Sequence, residues 1–147
     1  MAKILTEVLP LKGWAFYSGR ALWEEGKINL QSALQIEAEP DNPYDRYAVA
    51  VFLQTYHEKG DPIKVLIGYL PRTEAARFQF LLLHKQIQQI AFKKIKGEPP
   101  YHLDLQIHYH FPWWLKGYFP IWKYFHPQHK PLKVNRYDEN RQLENKP

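Results

Sequence analysis

The side chains best equipped for chemistry gather in one stretch. Glu37, Glu39, Asp41 and Asp45 place four carboxylates within nine positions, and oxygens at that density can hold Mg²⁺ in the manner of a nuclease centre. A turn of this composition is ordinarily structural, however, and neither a general base nor a nucleophile accompanies it, so the chain is read as a non-enzyme. His108 and His110, two apart on an expected strand, direct both imidazoles to one face, with His126 and His129 further on. Zinc asks for three or four nitrogen or sulfur ligands in tetrahedral array. Without cysteine, and without an acid at a matching spacing, no metal site or cofactor is expected.

These residues are positioned by short apolar-alternating runs divided by turn residues, the period-two pattern of half-buried strands. Strands are predicted over Ile4 to Leu9, Ala15 to Tyr17, Ala33 to Ala38, Tyr47 to Leu53, Val65 to Leu70, Ile87 to Ile95 and Leu103 to His110. One segment has helical spacing instead. Thr73 is suited to cap a helix running to about Lys85, with Glu74 in its first turn and Ala76, Phe80 and Leu83 on its apolar face. Many strands and one firm helix predict a mainly β fold with accessory helices, an α+β arrangement in which a small closed or nearly closed barrel carries the helix.

From Pro112 the composition changes. Trp113, Trp114, Tyr118, Phe119, Trp122, Tyr124 and Phe125 crowd among Pro112, Gly117, Pro120, Pro127 and Pro131. Prolines at this density are expected to forbid a long helix. The chain therefore divides into a body, 1–111, and an aromatic, proline-rich, basic extension, 112–147, whose end from Asn135 to Pro147 is polar and expected to fray. So much apolar surface is expected to fold back over the barrel. The alternatives are a protein partner or self-association through Trp113, Trp114, Tyr118, Phe119 and Trp122, and an interfacial membrane contact with Lys116 and Lys123 beside the rings.

Charge narrows the function classes. The formal net charge is +5, but residues 1–111 hold 13 Lys/Arg against 12 Asp/Glu, while residues 112–147 hold 7 against 3. Bulk charge alone therefore does not make the body a nucleic-acid binder, and specific residues must. The lack of cysteine removes any disulfide framework and leaves the cytoplasm as the default compartment. Lys3 and Glu7 interrupt the amino end, so neither a signal peptide nor a membrane span is expected there.

The run Glu39-Pro40-Asp41-Asn42-Pro43-Tyr44-Asp45, followed by Tyr47-Ala48-Val49-Ala50-Val51, joins two strands. Pro43 presets φ there, and Asp41 and Asn42 can bond the backbone ahead of them. With Ile67-Gly68-Tyr69-Leu70-Pro71-Arg72 and the upstream Phe16-Tyr17-Ser18-Gly19, it strongly resembles the HIRAN domain over roughly residues 5–110. The resemblance implies a modified OB-like barrel that holds the 3′-hydroxyl terminus of single-stranded DNA, in a stand-alone version of the bacterial or phage type. By motif position, Phe16 and Tyr44 would stack on the terminal base, Asp45 would accept the hydroxyl proton and Arg72 would hold a phosphate. Tyr17, Asn42 and Tyr69 complete the implied set, and Lys93 and Lys94 could support it. The carboxylates Glu37, Glu39, Asp41 and Asp45 would repel a 3′-phosphate.

Three positions depart from the eukaryotic pattern. Ala15 stands in place of an arginine, Phe16 of a tyrosine and Tyr69 of a histidine; Phe16 still stacks but loses a hydroxyl, and Ala15 and Tyr69 lose potential phosphate contacts. The competing expectation is a protein-interaction module on the same fold. On that expectation Asp45 and Asn42 serve only the turn, Tyr44 the barrel end, Phe16 the core and Arg72 the helix start.

Overall fold

The computed structural model describes residues 3–14 and 17–128. The elements run β1 (Ile4–Pro10), α1 (Gly19–Glu24), β2 (Ala33–Ala38), β3 (Val49–Tyr56), β4 (Pro62–Tyr69), α2 (Arg72–Leu83), β5 (Ile87–Lys96), β6 (His102–His110) and α3 (Trp113–Phe125). They build two three-stranded antiparallel sheets, ordered β1-β6-β5 and β2-β3-β4. Strand β6 shows the causal pattern plainly: Leu103, Leu105, Ile107 and Tyr109 are buried, and the residues between them are less so. Every second side chain reaches the core, where it meets Leu53, Ile67, Phe78 and Leu81.

The sheets do not close into a barrel. One seam is joined where the chain beyond β1 crosses to β4, with Lys12 and Tyr69 exchanging N–H···O bonds of 2.9 Å each. That crossing brings the Lys12 carbonyl so near Gly68 that a Cβ there would lie 2.5 Å from its oxygen. At the other seam β2 packs on β5 without a ladder.

Six predicted strands are present. The strand predicted over Ala15 to Tyr17 fails at its one described residue, because Tyr17 lies in a turn leading into α1. The helix after Tyr69 begins at Arg72, with Pro71 at its N-cap and no side-chain cap, so Thr73 lies inside the first turn rather than capping it. It ends at Leu83, where Lys85 turns left-handed (φ 57°) and the Gln86 N–H reaches the Leu81 carbonyl at 2.9 Å. Its apolar residues serve two sides. Phe78 and Leu81 enter the main core, Ala75 and Phe80 meet α3, and Leu83 is exposed.

The expectation against a long helix after Pro112 is overturned, since α3 runs 13 residues through Pro120. Pro112 is its N-cap and Pro127 lies beyond its end, so neither interrupts it. Pro120 and Lys116 are both exposed, so water can take the carbonyl that Pro120 cannot serve. The inner face is tied down by aromatic packing: Phe80 stacks on Phe119 and Trp122 at 5.1 and 5.3 Å, with Leu115 buried beside them.

Candidate nucleic-acid interface

The β2–β3 turn is built from its own polar side chains. Asn42 Oδ1 accepts the N–H groups of Tyr44 (2.9 Å) and Asp45 (3.1 Å), and Asp45 Oδ1 accepts that of Tyr47 (2.9 Å). These nested turns raise Tyr44 to the surface, 48% exposed, while the Asp45 side chain stays only 13% exposed. No such bond from Asp41 is present among the described residues, so Asn42 and Asp45 set the turn.

Tyr44 and Asp45 share a groove of about 580 Å³ with Asn42, Tyr17, Tyr69 and Arg72. Six of the seven residues singled out in the sequence thus come together. The seventh, Phe16, lies outside the described residues, as does Ala15. Its neighbour Tyr17 lines the groove, its ring 5.7 Å from that of Tyr69 and tilted by 57°. Arg72 Nη2 donates to the Tyr44 carbonyl at 3.2 Å, and Arg72 Nε stands 3.9 Å from Asp45 Oδ2. The guanidinium therefore spans the turn and the helix start, more than half exposed toward the groove.

Of the four clustered acids only Asp45 lines this groove. Glu37 pairs with Lys64. Glu39 Oε1 accepts from Tyr69 Oη at 2.8 Å and from Asn42 Nδ2 at 3.1 Å. Burial, followed by that Glu39 contact, drives the Tyr69 phenol far above its usual range, so Tyr69 stays neutral. Its hydroxyl is already engaged, whereas its ring is presented to the groove.

One charged groove residue is not among those seven: Lys12, which the bridge to Tyr69 brings to the groove. Its only sequence signal is a cation three residues past the strand predicted over Ile4 to Leu9. The histidines on β6 are used locally, with His108 Nδ1 2.9 Å from Thr6 Oγ1 and His110 Nδ1 3.2 Å from the Lys3 carbonyl. Among the described residues no three His, Asp or Glu side chains are grouped to hold a metal ion, and no helix is long and apolar enough to cross a membrane.

A groove walled by tyrosines, with one carboxylate and two cations, sits on a pair of short antiparallel sheets. The family model of the HIRAN domain matches residues 6–116. The chain belongs to the HIRAN family. This family is generally one of nucleic-acid-binding modules. Among solved structures, the HIRAN domain of human HLTF is similar at 16% identity and a TM-score of 0.51, covering 83% of this chain and 88% of that one. A protein from Lactobacillus plantarum is similar at 15% identity and a TM-score of 0.49, covering 75% and 100%. No curated protein matches the sequence. At these identities the likeness to the HLTF domain is one of fold, and the HIRAN groove must be read from its own residues.

Proposed function

We propose that this HIRAN chain binds the 3′-hydroxyl end of single-stranded DNA. The observation that carries the reading is the convergence of Tyr44, Asp45 and Arg72 in one groove. Tyr44 supplies an exposed ring on which a terminal base stacks, and the Tyr17 ring lines the same groove. Stacking is worth ~1–3 kcal/mol per base and is indifferent to base identity, so the groove reads an end and not a sequence. Asp45 Oδ1 is committed to the turn, while Oδ2 accepts the terminal hydroxyl. Arg72 and Lys12 hold the phosphates behind it. A 3′-phosphate would bring its charge against Asp45 and lose the hydroxyl donor.

The test is a titration of a short labelled oligonucleotide with a free 3′ end against the same strand with that end closed in a hairpin. Binding to the free end alone supports the proposal, and equal binding to both removes it.

The outer face of α3 favours a second reading, a protein-interaction module. Trp113 and Tyr124 are 84% and 79% exposed, and Trp114, Tyr118 and Phe125 are exposed with them. Phe119 and Trp122 turn inward, so a partner would meet the outer rings only. Salt separates the readings, because DNA binding weakens by counterion release and an apolar protein contact does not.

A further inference from the structure

Three successive residues of the β2–β3 turn are tied to three successive residues beyond α3. Tyr47 Oη donates to the His126 carbonyl, Arg46 Nη1 donates to the Pro127 carbonyl at 3.0 Å, and Gln128 Nε2 donates to Asp45 Oδ1 at 3.0 Å. Each bond uses a side chain, so each depends on the residue type. The Tyr47 ring is buried and lies 5.7 Å from that of Trp122, which anchors the far end of the segment to the turn.

We infer that residues 126–128 form a clasp on the turn that carries Asp45, with Gln128 as the positioning residue of the Asp45 carboxylate. This rests on the end-binding reading above. The torsion that turns a carboxylate is broad, and one bond from the Tyr47 N–H leaves the group free to rock. A second donor on the same oxygen stops that motion. With Oδ1 holding both the Tyr47 N–H and Gln128 Nε2, the remaining oxygen is Oδ2. Its neighbour is the Arg72 guanidinium, and among the described residues no donor hydrogen-bonds it. A carboxylate has about four acceptor positions, so Oδ2 retains room for a hydroxyl. An acceptor already fixed in place loses less freedom when the ligand arrives, and binding is tighter for it.

The clasp also gives the basic extension a role in the site that its composition does not announce. Gln128 sits 83 positions from Asp45 in sequence, and nothing in its local pattern marks it.

The test uses the full chain with Gln128→Leu, and separately Tyr47→Phe, which keeps the buried ring and removes only its hydroxyl. Affinities for oligonucleotides ending in 3′-OH and in 3′-phosphate are measured by fluorescence anisotropy, with thermal melts as the folding control. The clasp predicts that Gln128→Leu weakens 3′-OH binding roughly fivefold, the scale of one hydrogen bond, while 3′-phosphate binding is unchanged. Tyr47→Phe moves the ratio the same way. Equal weakening of both ends would mean a merely structural contact and would overturn the inference, as would an unchanged ratio in a wild type that does prefer 3′-OH. A wild type with no such preference would remove the end-binding reading, and this role with it.

Discussion

Asp45 and Asn42 look alike in the sequence and part company in the structure. Asn42 spends its oxygen on two backbone N–H groups and its amide on Glu39, so it is a turn residue. Asn42→Ala is expected to cost about 1–2 kcal/mol of stability in a denaturant melt, because the Tyr44 and Asp45 N–H groups both lose their acceptor. Tyr44 is the converse case: its side chain is exposed, and only its backbone is used locally. Tyr44→Ala should leave the melt nearly unchanged and weaken oligonucleotide binding by ~1–3 kcal/mol, read by anisotropy. Loss of stability without loss of binding would reverse its assignment. Both roles were open from the sequence, because residue type alone does not say which atoms the turn consumes.

The strands were legible because period-two burial leaves a direct trace, as along Leu103, Leu105, Ile107 and Tyr109. The α3 helix was not, since counting prolines ignores where they fall: Pro112 and Pro127 lie at its ends and Pro120 on its wet face. The Lys12 bridge was illegible for another reason: it joins residues 57 apart through backbone groups that carry no sequence signature. Gly68 is its one trace. Gly68→Ala is expected to destabilise the protein by about 2–3 kcal/mol, because the added methyl meets the Lys12 carbonyl and the Leu11 side chain. It should also weaken DNA binding by displacing Lys12, which a Gly117→Ala control, with nothing near its Cβ, would not do. Phe80 ties α2 to α3, being fully buried and stacked on Phe119 and Trp122. Phe80→Ala should cost about 3–5 kcal/mol and red-shift the tryptophan emission as Trp122 meets water.

Across the chain, the cations lining the groove among the described residues are Lys12 and Arg72. At about −0.7 per phosphate contact on a single strand, two contacts give a slope of log K against log salt of roughly −1.4. A slope several times steeper would mean that the basic extension carries the binding. Alkali should act on the fold as a whole. Tyr47, Tyr69 and Tyr109 all hold their phenolic protons above the ordinary 10.0, through burial first of all. Above pH 10 the unfolded phenols ionise while the folded ones resist. The stability they contribute is therefore complete below pH 10 and is lost as pH rises through the raised values. Thermal melts between pH 8 and 12 should show this fall, and Tyr69→Phe should lessen it. The central claim is tested most directly by comparing affinities for one oligonucleotide ending in 3′-OH or 3′-phosphate, in the wild type and in Asp45→Asn. A wild-type preference for 3′-OH of about tenfold or more, the scale of a charge-assisted hydrogen bond, which collapses in Asp45→Asn, is the predicted result. Equal wild-type affinity for the two ends, or a preference that survives Asp45→Asn, would contradict it.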